Sequence, residues 1–408
     1  MKKIIYYFLV LVFLIFINIP KTEAKVSDAE LQNEEIFEEV VLSNPQIEEN
    51  EDEINIQAAE INENDENMTL RDKLKNVYHL EINEYDRPEY LFRDILTHKC
   101  KEESIMDNWH VWGAFNGLVD MSFTDNGNFN TKYMGNAHNI GFDGFLKNNN
   151  GDFRIMLGVP YPSGRNYVQT LFSDVYFGTN KIPHHRIQIG HFRPQIGMEG
   201  GNSAYTLAFL GRSQIARNFG TARRIGGRIK GDFKYLDYDA GVYSSDTFFE
   251  EFFPGAEFVG WVNLKPLANV EDKYGKLKIG GGIDGGHRDD NFFVTGAYVG
   301  YEYKKFMAEF EWANANGYNG YYGHSRKHAT GFYTTIGYML TKKLQLLACY
   351  DEFTPDKTIS GNKKREYTLG INYFIKGQAL RLILNYVFCQ NDNTKDSHRI
   401  MLGTQILI

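Results

Sequence analysis

Cysteine is scarce in this chain of 408 residues, with three in all: Cys100, Cys349 and Cys389. An odd number cannot pair off internally, so no disulfide framework holds the fold. Cys349 and Cys389 fall on expected strands two apart in a sheet, roughly 9–10 Å at the usual strand spacing. That is beyond the reach of a bridge. Long apolar runs are missing too. After the first 20 residues no segment has the length and purity of a membrane-spanning helix. No glycine-rich phosphate loop stands at a strand-to-helix junction, so nucleotide chemistry is not indicated. The residues between Asp28 and Glu66 contain no lysine or arginine at all, against 15 acids.

The N-terminal absences have a simple order. Lys2 and Lys3 precede an apolar stretch from Ile4 to Pro20, and Thr22-Glu23-Ala24 offers a small residue at a cleavage position. Residues 1–24 therefore read as a secretory signal. Residues 25–68 form an acidic tail, too poor in apolar surface to offset chain entropy, so disorder is the expectation. Within 69–106, TLRDKLKNVYHL (69–80) predicts a short amphipathic helix with Leu70, Leu74, Val77 and Tyr78 on one side. Linker with at most one more helical turn follows. The tail also masks the charge of the remainder. The whole chain carries a net −8, yet removing residues 1–66, with 16 acids and four lysines, leaves 36 acidic and 40 basic residues.

What is plentiful is aromatic residues, 15% of the chain and mostly Tyr and Phe, with 39 glycines and a mean hydropathy of −0.42. From 107 to 408 the pattern is strand after strand. The expected stretches are 108–122, 132–146, 152–160, 167–178, 184–191, 222–233, 235–245, 256–267, 276–285, 292–303, 305–313, 328–340, 343–352, 365–375, 378–389 and 398–408. Several alternate apolar and polar residues, as a strand with two different faces must. Leu380, Leu382, Leu384, Tyr386 and Phe388 stand against Arg381 and Asn385. Short turns follow the even stretches and longer Gly/Asn/Asp-rich loops follow the odd ones. That parity predicts an all-β, transmembrane antiparallel barrel of about 16 strands in the bacterial outer membrane.

One loop is out of scale. Pro194 to Gly220 is long and carries the apolar run Tyr205-Thr206-Leu207-Ala208-Phe209-Leu210. Loops of this length tend to be functional. The apolar run would be a liability in water, so this third long loop is expected to fold into the barrel and narrow it. The strand after it sets Ile225, Ile229 and Phe233 on one face and Arg224, Arg228 and Lys230 on the other. With the apolar face on lipid, the cations line a wet lumen.

FSDVYFGTNKIPHHRIQIGHFRPQIGMEGG, residues 172–201, resembles a stretch of the phosphate-selective porin O and P family. There an Asp-containing strand leads through a turn to a "vGqfk.PfGlE" segment. Here Ile189 to Glu199 reads IGHFRPQIGME, with the Pro and Gly one residue further apart. ARRIGGRIKGDFKYLDYDAGVYSSD, residues 222–246, is similar to the family's "R..G..l.G......Y..gvy" pattern. The resemblance covers 107–408 and is specific in 172–245. It implies a sixteen-stranded trimeric channel with an inward-folded third loop, and it reaches Arg193, Pro194, Gly197, Glu199, Arg224, Gly227 and Gly231.

The candidate anion path is Arg212, Arg217, Arg223, Arg224, Arg228 and Lys230, because a row of cations in a narrow pore concentrates anions and offers successive weak sites. Tyr205, Leu207, Phe209 and Glu199 are the candidate constriction. Asp237 and Asp239 are expected to pair with the arginines. His184 and His185 are expected on opposite faces of one strand and, with His191, lack the spacing of a metal-ligand set, and Ser213, His184 and Asp174 form no recognisable triad. No cofactor, metal, catalytic residue or nucleic-acid partner is expected. The expected partners are small inorganic anions, outer-membrane lipid and further copies in a homotrimer. Three function classes stay open: an anion-preferring porin, a nonselective or sugar-type porin, and a largely closed structural or adhesin barrel.

Overall fold

The computed structural model describes residues 90–124, 127, 129–158, 171–247 and 251–408. The signal, the acidic tail and the expected helix at 69–80 lie outside the described residues.

Sixteen strands form the wall. They are β1 (Met106–Thr124), β2 (Phe129–Leu146), β3 (Asp152–Gly158), β4 (Phe172–Thr179), β5 (His185–Phe192), β6 (Arg224–Asp232), β7 (Leu236–Ser244) and β8 (Ala256–Leu264). The second half holds β9 (Lys276–Arg288), β10 (Asp290–Tyr303), β11 (Phe306–Asn316), β12 (Thr330–Met339), β13 (Leu344–Thr354), β14 (Lys364–Lys376), β15 (Leu380–Asn391) and β16 (Thr394–Leu407). Each pairs antiparallel with the next, and β16 returns to β1 from Ala114↔Leu407 to Thr124↔Ser397, so the sheet closes and has no free edge. Every one of the sixteen expected stretches overlaps one of these strands.

The two faces differ as a barrel in lipid requires. Outward positions carry Ile189, Val242, Phe258, Val262, Ile279, Ile336, Leu369 and Leu402, large apolar residues left exposed by the protein itself. Inward positions carry Asn116, Asp143, Gln188, Glu257, Asn263, Glu309, Gln345, Asn372 and Gln405, all buried. Near the loop end a chain of rings crosses seven strands: Phe310–Phe332–Tyr350–Tyr367–Phe388–His398–Phe123, with centroids 4.9 to 6.0 Å apart. Such a belt marks the level where apolar lipid gives way to polar headgroups.

Three local expectations need correction. The loop parity is not strict, because β9 and β10 are joined through Asp289 alone and β15 and β16 also by a tight turn, both at the loop end. Asp289 takes φ 60, a left-handed value that Asp tolerates better than most residues, and this lets the chain reverse in one step. The segment before the barrel is not merely linker. Thr97–Lys99 adds a short strand against Asn108–His110, and Tyr90 is buried beside Trp112 at a centroid distance of 5.5 Å. Finally, His184 and His185 do not take opposite faces of one strand. His184 lies in the turn at φ 63, and both rings pack on Phe233.

Candidate functional site: the infolded loop and its charged wall

Between β5 and β6 the chain enters the lumen. Two short helices, α1 (Gly197–Gly200) and α2 (Gln214–Phe219), hold its ends, and residues 201–213 run between them. The apolar residues that singled out this loop are buried: Tyr205, Leu207, Phe209 and Leu210. Tyr205 packs with Trp112, Met156 and Leu407, Phe209 with Met307 and Leu347, and Leu210 with Leu118, Ile383 and Met401. Two wall glycines make the sockets. A Cβ on Gly370 would stand 2.8 Å from the Phe209 ring, and one on Gly403 would overlap Leu210.

Loop backbone taken out of water needs partners, and the wall supplies them. Met198 N–H donates to Glu311 Oε1 at 3.0 Å, Gln214 N–H to Asp351 Oδ2 at 2.7 Å and Leu210 N–H to Asn385 Oδ1 at 2.9 Å. Asn372 and Gln405 donate to the carbonyls of Ala208 and Tyr205, each at 2.9 Å. The tyrosine hydroxyl meets Asn139. The loop is thereby tied to β2, β11, β13, β14, β15 and β16. Within it, Glu199 Oε2 accepts from Ser213 N–H at 2.6 Å, and Ser213 caps α2 by accepting from Ala216 N–H. Burial pushes the Glu199 carboxyl above its ordinary range, against the pull of Ser213 and Arg212. Carboxylates of the β11–β13 wall are thus engaged in holding the loop.

The six candidate cations all lie on or beside this loop, each with partners. Arg224 forms an ion pair with Glu257 at 2.7 Å, and its side chain is 0% exposed. It also donates to the carbonyl of Asn319, in the small hairpin Tyr318–Gly320/Gly323–Ser325. Arg228 and Lys230 both reach Asp239, at 3.2 and 3.6 Å, and Arg228 lies over the Phe192 ring at 4.5 Å. Arg223 pairs with Asp174 at 2.7 Å and Arg217 with Glu366 at 2.8 Å. Arg212 donates to the carbonyls of Glu199 and Asn202. Asp239 therefore pairs with cations of β6 as expected. Asp237 does not pair with arginine: it lies 3.7 Å from both Lys265 and Lys278.

The row is not a uniform ladder. Arg224 is sealed in the wall, while the side chains of Arg217, Arg223, Lys230 and Arg228 are 33%, 23%, 16% and 10% exposed. In each of these pairs the cation is more exposed than its carboxylate. Among residues that composition did not single out for the path, Arg193 stands out, because its Nη1 donates to the same Asn202 carbonyl as Arg212, at 2.7 Å. Arg154 and Arg186 are buried deeper, on Asp143 and Asp152 at 2.8 and 2.7 Å. The signal for them was present as inward parity on short strands, but parity alone does not separate a pore residue from a wall strut. Among the described residues no group of three or more His, Cys, Asp or Glu side chains is placed to hold a metal ion.

A family model described as "Phosphate-selective porin O and P" matches residues 275–407, downstream of the segment 172–245 on which the resemblance was specific. No curated protein matches the sequence. Among solved structures, the anion-selective porin from Comamonas acidovorans aligns with a TM-score of 0.56 at 11% identity, covering 74% of this chain and 99% of its own. The outer membrane channel DcaP of Acinetobacter baumannii gives 0.54 at 12%, covering 76% and 99%. A loop L8 deletion mutant of OmpT, an outer membrane protein of Vibrio cholerae, gives 0.53 at 12%, covering 75% and 100%. At such identities these likenesses speak for the fold. Together with the closed sixteen-strand wall and its two faces, they make the chain a porin-type barrel of the bacterial outer membrane, carrying over its last third the signature of the phosphate-selective porin O and P family.

Proposed function

We propose that this porin gives passive passage to small inorganic anions, phosphate among them, past Arg212, Arg217, Arg223, Arg228 and Lys230. The observation that carries the reading is the unequal exposure of the pairs. Where Arg223 meets Asp174 the side-chain exposures are 23% and 11%, and where Lys230 meets Asp239 they are 16% and 7%. An ion in the lumen therefore meets the cation before its counter-charge. Low-dielectric walls keep that field from being screened as it would be in open water. Each cation is also partly neutralised, so a passing anion is held weakly and can leave, as conduction requires. Arginine presents donors suited to phosphate oxygens. The constriction is the infolded loop, held against the wall by Tyr205, Leu207, Phe209 and Glu199. In this reading the working unit is a homotrimer in outer-membrane lipid, which rests on the family resemblance.

The test is a reversal-potential measurement on the purified protein in a planar bilayer across a potassium chloride gradient, followed by titration with phosphate. The expected result is a potential of the sign given by chloride permeation, and a chloride current reduced by phosphate. A potential near zero would favour the nonselective or sugar-type porin, and absence of conductance would favour the closed structural barrel.

A further inference from the structure

The wall buries four arginines almost completely, and three of them obey one rule. Arg154, Arg186 and Arg224 each meet a carboxylate at 2.7 or 2.8 Å. Arg381 does not. It is the second residue of β15, inward-facing and 0% exposed. Nη2 donates to Gln405 Oε1 at 3.1 Å, while Nε and Nη1 are buried without a partner. Among the described residues no carboxylate forms an ion pair with it.

Its surroundings are fixed. Gln405 lies directly across on β16, and Phe374 directly across on β14. The amide nitrogen of Gln405 donates to the carbonyls of Tyr205 and Gln378, so its oxygen must turn toward Arg381. The Tyr205 end of the infolded loop is therefore pinned by the same amide that touches the guanidinium. A guanidinium stays charged in proteins, and burying a charge with no counter-charge is strongly unfavourable. Buried donors left vacant in a native fold call for an ion or a water.

We propose that Arg381 holds a small monovalent anion of halide size, taken up as the loop folds in and kept as a structural counter-ion. The site is separate from the conducting path. Arg381 has no opening to solvent, whereas the path cations are partly exposed. A spherical halide fits this setting because it needs only donors, and Nε and Nη1 supply them. A phosphate would bring acceptor oxygens and a larger shell into a place bounded by Phe374 and the loop. Because ion uptake accompanies loop closure, the ion should stabilise the folded protein by mass action.

The experiment uses the purified full-length protein. Crystals grown or soaked in sodium bromide should show anomalous density within hydrogen-bonding reach of the Arg381 guanidinium, and Arg381→Met should abolish it. In solution, the unfolding midpoint of the parent in sodium chloride should exceed that in sodium gluconate at equal ionic strength by roughly 2–4 °C. Arg381→Met should lose that difference, since an apolar side chain of similar size removes the buried charge without leaving another. Arg381→Lys keeps the charge and should keep part of the halide response. The proposal is overturned if bromide density is absent while the guanidinium is seen bonded to water or side chains only. It is equally overturned if the midpoint of the parent is the same in both salts. Neither result touches anion selectivity, which is read from reversal potentials.

Discussion

Gly370 lies directly under the ring of Phe209: a Cβ in place of its hydrogen would stand 2.8 Å from the ring's Cε1. One residue sits on the wall and the other on the loop, 161 positions earlier in the chain. The depth of the constriction is therefore set by an absence on β14.

Filling that socket should lift the loop. Gly370→Val is expected to fold, because the outward face of β14 is untouched, but to seat Phe209 poorly. Overpacking of a buried contact typically costs about 1–3 kcal/mol. Single-channel conductance should rise above that of the parent. Unchanged conductance in a folded variant would show that Phe209 does not narrow the pore.

Arg224 and Arg228, four positions apart on one face, should behave differently. Arg224→Gln leaves Glu257 buried without its cation beside Asp284, itself 0% exposed. Breaking a buried pair this way costs about 3–5 kcal/mol. The expected outcome is a lower unfolding temperature and poor yield of heat-modifiable barrel, with little change of selectivity in the protein that does fold.

The double substitution Arg228→Gln with Lys230→Gln removes the two charges that share Asp239 and leaves that carboxylate facing the lumen. Anion preference should fall, and block by phosphate should weaken. Raising the salt should shrink the difference from the parent, since screening shortens the reach of the remaining charges. A reversal potential equal to that of the parent in a folded, conducting variant would remove these residues from the path.

Accessibility gives a fourth check. Ser203 lies on the infolded loop and is 8% exposed. In a background lacking the three native cysteines, Ser203→Cys should react slowly with a maleimide too bulky to enter the pore. Fast labelling from outside would place the loop above the barrel.

The sequence made the wall legible because a strand between lipid and water has to alternate, and several of the sixteen stretches did. The loop was legible for a related reason: the run from Tyr205 to Leu210 had no business in water. Apart from Asp239, the partners of the cations were hidden. Arg217 meets Glu366 and Arg223 meets Asp174, partners 149 and 49 residues away in the chain. No local pattern encodes such distances. Arg224 illustrates the cost. Period-two spacing put it on the correct face but could not tell that Glu257 would seal it inside the wall. The strand Thr97–Lys99 was missed because three residues are too few to show any period at all.

The loop is anchored at α1, at three points along its middle and again at α2, on strands β11, β13, β14, β15 and β16. A strip of chain clamped at so many points behaves like a braced beam rather than a hinged flap. Its thermal excursions should be small in amplitude and short in wavelength. In an electrical recording such a constriction should give a quiet open level, with few brief closures of the kind a swinging obstacle produces.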